Sequence, residues 1–329
     1  MEITTKDVKD FLVKYQGQVI TLDKIRNEMG VEKSGLGGIR SKSFDAVRNI
    51  MFRLAEQKVV KTLSRGEYKV VREVKPITVF GRERRPPITL LFPKDEAGME
   101  MLFAEDIVMR EGDLILISGQ SNFGKTQLCL AFCAENIDSS PVLMGNEYTT
   151  LDGEPSARFL NRIDNMDWVE WIDGNNQEKF VLLPVREDYA EHIVKGKINI
   201  IDWINLPGEY YMISPVMEGI KRELGRGIGI IAIQKNPGVE YGRGGNLTKD
   251  FADVEILLDQ YGEHEVLLTI GKVKEYKHFV MGRTFAYSIS QGVKILNFRE
   301  VKRCPACRGQ GYTGGKQCTE CDGKKFVDK

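Results

Sequence analysis

Hydrophobic positions change their period along this chain of 329 residues, and those changes divide it. Over residues 1–75 apolar side chains recur at helical spacing. Val8, Phe11 and Leu12 share one face of a helix capped by Thr5 and running to about Tyr15. Thr21–Met29 reads as a short second helix ended by Gly30. Phe44, Val47, Ile50, Met51 and Leu54 mark a third over Ser43–Glu56. Val59–Leu63 and Tyr68–Val71 then read as strands around Ser64-Arg65-Gly66-Glu67, a hairpin signal. From about residue 101 to 300 the pattern is one of short continuous apolar runs. They fall within Asp113–Ser118, Pro141–Met144, Ile198–Ile201 and Gly227–Ile233, with helical segments such as Thr126–Glu135 and Val216–Leu224 between them. Apolar strands alternating with helices predict an α/β domain, a parallel sheet covered on both faces. Residues 76–100, with Gly81-Arg-Glu-Arg-Arg-Pro-Pro87, read as a linker. Residues 301–329 are too short and too polar to build an apolar core.

The first strand of the α/β domain runs into Gly119-Gln120-Ser121-Asn122-Phe123-Gly124-Lys125-Thr126, which fits Gly-x4-Gly-Lys-Ser/Thr. A strand, a glycine-rich turn and a helix N-terminus bring backbone N–H groups together where the helix dipole favours an anion. This is the P-loop arrangement for a nucleoside triphosphate. Lys125 is placed to reach the β- and γ-phosphates, and the Thr126 hydroxyl to ligate Mg2+. Asp202 follows the run Ile-Asn-Ile-Ile and has the form of the acid that holds that Mg2+. Glu147, at the end of the neighbouring strand, is the candidate to polarise an attacking water. Gln234 ends another run and can sense the γ-phosphate, passing the signal to Lys235–Gly245.

Together, Gly112–Thr126, Met144-Gly-Asn-Glu147, Ile200-Ile-Asp202 and Ile231-Ala-Ile-Gln234 resemble the RecA/DnaB group of P-loop ATPases, over about residues 100–298. The resemblance implies a RecA-like core that hydrolyses ATP, with Glu147 as catalytic base and Gln234 coupling nucleotide state to DNA-binding loops. Val266–Lys274 looks like the family's late strand, whose basic residues reach a neighbouring subunit's nucleotide. Lys272 and Lys274 are therefore candidate trans-acting groups, with Arg283 a further one. By the same resemblance two loops face the axis of a homo-oligomer, a ring or filament. One holds Tyr210 and Tyr211, and the other holds Lys235 and Arg243.

Residues 1–75 resemble a winged helix-turn-helix domain, whose third helix enters the DNA major groove. Arg40, Lys42, Arg48, Arg53 and Arg65 are the DNA contacts this implies. The helical N-terminal domain of replicative helicases is missing here, which sets processive unwinding apart from the rest of the resemblance. The expected activity is an ATP-hydrolysing, DNA-binding oligomer, helicase-like or recombinase-like. The alternatives are an ATP-switched DNA-binding regulator and a scaffold in a mobile element or virus.

Charge adds to this picture. The totals balance, 47 basic against 47 acidic residues, but the distribution does not. Residues 1–75 carry net +6, residues 294–329 carry +5, and the stretch between carries −11. Two basic ends are expected to meet a polyanion such as DNA. No apolar run approaches the ~20 residues that span a bilayer, and the N-terminus lacks a secretory stretch, so a cytoplasmic location is expected.

Four of the six cysteines form Cys304-Pro-Ala-Cys307 and Cys318-Thr-Glu-Cys321. Two Cys-x2-Cys knuckles supply the four thiolates of a structural Zn2+ site, and metal binding would then supply most of the folding energy of this tail. A redox dithiol pair and an iron–sulfur cluster are the alternatives. The first knuckle resembles half of the cysteine-rich module of J-domain co-chaperones, and the second departs from it with Asp322-Gly-Lys-Lys325. Arg303, Arg308, Lys316, Lys324 and Lys325 surround the knuckles and suit nucleic acid or a partner. Cys129 and Cys133, in the helix after the loop, read as packing residues.

Overall fold

The computed structural model describes residues 3–32, 42–74, 76–81, 86–204, 212–236, 239, 242–245 and 247–329. The chain divides into two compact units, Met1–Arg84 and Arg85–Lys329.

The first unit contains α1 (Thr5–Leu12), β1 (Val19–Thr21), α2 (Leu22–Glu28), α3 (Lys42–Glu56), β2 (Val60–Ser64) and β3 (Glu67–Val70). Thr4, not Thr5, caps α1. Its hydroxyl accepts from Asp7 N, and the Asp7 carboxylate accepts from Thr4 N at 2.8 Å, which closes a capping box. Thr21 caps α2, its hydroxyl accepting from Lys24 N. The hairpin forms where expected, and β1 adds to it in the antiparallel order β1-β3-β2. The apolar faces of the helices close on one core of Val8, Leu12, Ile25, Val47, Ile50, Met51 and Leu54. Arg26 is buried beside this core. Its guanidinium stacks on the Phe44 ring at 3.6 Å and donates to the Phe44 carbonyl, tying α2 to α3. Lys42, Arg48, Arg53 and Arg65 are all exposed. Arg40 lies outside the described residues.

In the second unit the strands are β4 (Leu114–Gly119), β5 (Val142–Met144), β6 (Val181–Leu183), β7 (Ile198–Ile204), β8 (Ile228–Gln234), β9 (Val254–Tyr261), β10 (Glu265–Val273), β11 (Thr284–Ser290), β12 (Lys294–Arg303) and β15 (Phe326–Asp328). A small hairpin of β13 (Tyr312–Thr313) and β14 (Lys316–Gln317) stands apart. The helices are α4 (Lys125–Glu135), α5 (Ala157–Asp164), α6 (Ile213–Glu223) and α7 (Leu247–Phe251). Among the described residues, ten strands form one sheet in the order β15-β12-β11-β10-β9-β4-β8-β7-β5-β6. The run from β9 through β4 to β6 is parallel, and the run from β9 to β15 is antiparallel. The sheet is therefore mixed, where a parallel one was expected.

Burial on two faces explains the continuous apolar runs. In β4, Ile115 and Ile117 join one core with Leu128, Phe132 and Phe285, while Leu114 and Leu116 join another with Ile213, Met217 and Ile220. A strand covered on both sides cannot show polar alternation.

Two segment boundaries differ from the sequence reading. Leu90 and Phe92, expected in a linker, are buried in the larger core, and Ile88 N donates to Met109 O. Two prolines and clustered charge masked an apolar stretch that packs. The cysteine tail is likewise not detached. Its last strand, β15, pairs with β12, and Tyr261 donates to Phe326 O at 3.3 Å.

Candidate functional site

The glycine-rich loop lies where β4 ends and α4 begins. A Cβ on Gly119 would come within 3.0 Å of Leu258 Cβ and Lys125 Cγ, so the strand end needs glycine. Gly124 is in the left-handed region, φ +84°, and lies against Tyr287 and Ile289 of β11. It stands at the N-cap of α4 with no side-chain cap, leaving that N-terminus to whatever anion approaches.

Beside this loop is a cavity of about 370 Å3. Ser121, Asn122, Gly124, Lys125, Thr126, Glu147 and Gln234 line it. Arg158, Arg162, Trp203, Ile289 and Gly292 line it as well, and none of these stood out in the sequence. Its size falls within the range of small-molecule pockets. Gly119, Gln120 and Phe123 shape the loop without lining the cavity. A larger cavity of about 650 Å3 lies elsewhere, around Lys94, Trp168 and Lys294. Its lysines are matched by acids, Lys94 to Glu135 at 2.7 Å and Lys294 to Asp167 at 3.1 Å. The smaller cavity holds the convergent polar groups and is the better candidate.

Lys125 curls back over the loop, Nζ donating to Gln120 O at 2.7 Å. Burial lowers its pKa, with the Asp202 and Glu147 carboxylates opposing. Gln234 Nε2 donates to Ser121 Oγ at 2.9 Å, so the end of β8 touches the loop directly. Glu147 follows β5, which is separated from β4 by β8 and β7 rather than lying next to it. Glu147 still reaches the cavity, and Arg162 Nη1 lies 4.0 Å from its Oε2.

Asp202 sits within β7, short of the strand's end at Ile204, and is fully buried. Neither carboxylate oxygen has a hydrogen-bond partner. Burial pushes this carboxyl up to about 7, and the Thr126 hydroxyl, close by without a formed hydrogen bond, pulls it back. Two buried acceptor oxygens without donors are costly unless a proton or a cation meets them. With Thr126 adjacent, the donor set is all oxygen, which fits Mg2+.

Most of the remaining expected residues have partners within their own chain. Lys235 was expected in an exposed basic loop, yet it is buried and its ammonium pairs with Asp259. Its side chain turns inward because β9 offers that acid. Asp259 also accepts from Gln120 Nε2 at 3.2 Å. Arg243 Nε donates to Asn236 Oδ1 at 3.2 Å. Lys272 donates to Lys249 O, and Lys274 pairs with Asp253 at 2.6 Å. Arg283 is held by Asp106 and Glu300. Tyr210 and Tyr211 lie outside the described residues.

The four tail cysteines are buried, and their Sγ atoms all lie within 4.8 Å of one another. They are close enough to share a metal ion such as zinc. Gly311 N donates to Cys307 Sγ at 3.2 Å. Burial opposes ionisation of Cys307, but that donor and the adjacent thiols hold its pKa below the usual thiol value. The Cys321 backbone N–H lowers Cys318 likewise. Cys304 and Cys321 shift the other way, Cys321 up to about 12 chiefly through burial, so it is the closeness of the four sulfurs that suits them to a metal. A Cβ on Gly311 would meet Gly323 O at 2.8 Å, so glycine lets the two knuckles close on each other.

No helix among the described residues is long and apolar enough to cross a membrane. In comparisons of the whole sequence, no protein-family model matches the chain and no curated protein matches it.

Proposed function

We propose that this chain is a P-loop ATPase of the RecA/DnaB type that binds DNA as a homo-oligomer, with a helicase-like or recombinase-like cycle. One observation carries the reading. Lys125, Thr126, Glu147 and Gln234 line one cavity at the carboxyl ends of parallel strands, above a buried Asp202 whose oxygens lack donors. Such strand ends are where open α/β sheets bind ligands.

ATP fits as substrate. Its phosphates lie on the loop amides and the α4 N-terminus, and Lys125 leaves Gln120 O to meet the β- and γ-phosphates. Mg2+ held by Thr126 and Asp202 offsets the phosphate charge when bound. Glu147 takes a proton from water as the water oxygen bonds to the terminal phosphorus. The bond from that phosphorus to the bridging oxygen breaks, ADP leaves with the electron pair, and inorganic phosphate remains. Gln234, tied to Ser121, carries the change in the loop to the segment that follows β8.

DNA binding rests on exposed Arg48, Arg53 and Arg65 of the winged-helix-like stretch 1–75, which carries net +6, and on the basic tail. The tail is stiffened by one structural Zn2+ on its four cysteines. The partners that Lys272 and Lys274 have within their own chain favour one second reading, an ATP-switched regulator without motor activity. In that case Lys274→Ala leaves hydrolysis intact. For the first reading the test is Lys125→Ala. DNA-stimulated ATP hydrolysis should fall on the order of 10²-fold or more, and undiminished hydrolysis would overturn the assignment.

A further inference from the structure

Helix α5 links three parts of the candidate site. Ser156 caps it, accepting from Phe159 N, and the same hydroxyl donates to Glu147 O at 3.2 Å. Ser156 N donates to Tyr148 O at 2.8 Å. At the far end, Asn165 Nδ2 donates to Gln291 O at 3.2 Å, in the turn between β11 and β12. The helix is thus pinned to the Glu147 turn at one end and to the Gln291 turn at the other.

Arg162 projects from this pinned helix into the cavity, between Glu147 and Gly292. Its side chain is 21% exposed, and Nη1 is buried with no hydrogen-bond partner. That nitrogen lies 4.0 Å from Glu147 Oε2, an ion pair without a hydrogen bond. Arginine carries five donors in a fixed fork, and a buried donor left unmatched is costly. A donor already stripped of water and aimed at a carboxylate is prepared for an incoming oxygen anion.

We infer that Arg162 is a positioning residue that sets the aim of Glu147 according to whether a terminal phosphate occupies the cavity. Resting on the ATPase reading above, the inference adds a sensor within the same chain. Without phosphate, the guanidinium's ion-pair partner is Glu147, with buried Asp202 also within its field. With phosphate, Nη1 takes a phosphate oxygen, and the pinned helix leaves the guanidinium one place from which to hold Glu147. Arg162 forms and breaks no covalent bond. Its effect on turnover passes through Glu147.

The test uses the full chain as wild type, Arg162→Ala, Arg162→Lys, Glu147→Gln and the double variant Glu147→Gln/Arg162→Ala. Steady-state ATP hydrolysis gives kcat and KM, and titration with a non-hydrolysable ATP analogue gives affinity. Arg162→Ala should lower kcat on the order of 10²-fold while analogue affinity falls by only about tenfold, the cost of one lost charge-assisted hydrogen bond. Arg162→Lys, which keeps the charge, should recover about tenfold of that loss. The double variant should be no slower than Glu147→Gln alone, since one residue acts through the other. An unchanged kcat in Arg162→Ala overturns the inference. So does an affinity loss as large as the kcat loss, or a double variant in which the two losses multiply. If wild type binds the analogue but these patterns fail, the inference alone falls. If wild type binds no nucleotide, the ATPase reading falls with it. Thermal melting of each variant guards against misfolding, and should Arg162→Ala unfold, Arg162→Gln against Arg162→Lys supplies the same comparison.

Discussion

Gly145 is seated against the main chain of Asp202, so close that a Cβ at 145 would overlap the Asp202 carbonyl. Its φ of +131° also excludes ordinary side chains. Glu147 N donates to the same carbonyl at 3.4 Å. One glycine thus lets the turn carrying Glu147 rest on the strand carrying Asp202. Gly145→Ala is expected to cost about 2–4 kcal/mol of stability, read by urea unfolding. ATP turnover should fall by about tenfold or more under conditions where the variant is folded, since small displacements of reacting groups are costly. Unaltered stability would show that the turn can move aside.

In the first unit, Arg26 is the buried tie between α2 and α3. Arg26→Ala removes the stacking on the Phe44 ring and the two hydrogen bonds to its carbonyl that tie α2 to α3. A loss of about 2–3 kcal/mol is expected. Denaturant melting of the full chain should show an earlier transition for this unit, and a melting curve like wild type would contradict the account.

Glu255 gives a pH dependence of known sign. It is fully buried in β9, neither oxygen has a hydrogen-bond partner, and Lys249 Nζ lies 3.3 Å away. Burial raises its pKa above 4.5, and Lys249 offsets this only in part. The folded chain therefore holds this proton more tightly than the unfolded chain does. Its contribution to stability is fully present below about pH 4, near the ordinary glutamate pKa, and is lost as pH rises through the raised folded value. Glu255→Gln lacks that proton. The stability of wild type minus that of the variant should fall from about pH 4 towards neutrality. A difference that stays flat or rises would contradict the burial argument.

Metal should decide the fold of the tail. Elemental analysis is expected to find one zinc per chain, and binding free energy on the order of 10 kcal/mol holds the knuckles together. A strong chelator, or Cys318→Ser, should open residues 304–325 to protease while the strands from β4 to β11 stay protected. A tail that resists protease without metal, or a visible iron–sulfur absorption band, would overturn the zinc assignment.

How much of this was legible in the sequence follows from burial and distance along the chain. β4 and β8 were plain because both faces are covered and their residues are nearly all apolar. β1 has three residues, too few for a period to show. Of the antiparallel wing only the stretch around β10 stands out, because Glu255, Asp259 and Gln260 interrupt the apolar run of β9. Lys125, Thr126, Glu147 and Gln234, marked by spacing and strand ends, line one cavity, whereas Asp202 lies inside β7 and not at its end. Ile289 and Gly292 could not be found that way, since they reach the loop only through the folded β11–β12 turn. Arg158 and Arg162 did carry a signal, being one helical turn apart just after the Ser156 cap. Lys235 misled because nothing in its own segment reveals Asp259.

The most direct measurement is calorimetric titration of the full chain with ATP in the presence of Mg2+. Association near one molecule per chain, with a dissociation constant of about a micromolar to a hundred micromolar, is expected. Lys125→Ala should weaken it by about tenfold or more. Absence of any binding heat across titrations at several temperatures, or equal binding by Lys125→Ala, would contradict the account.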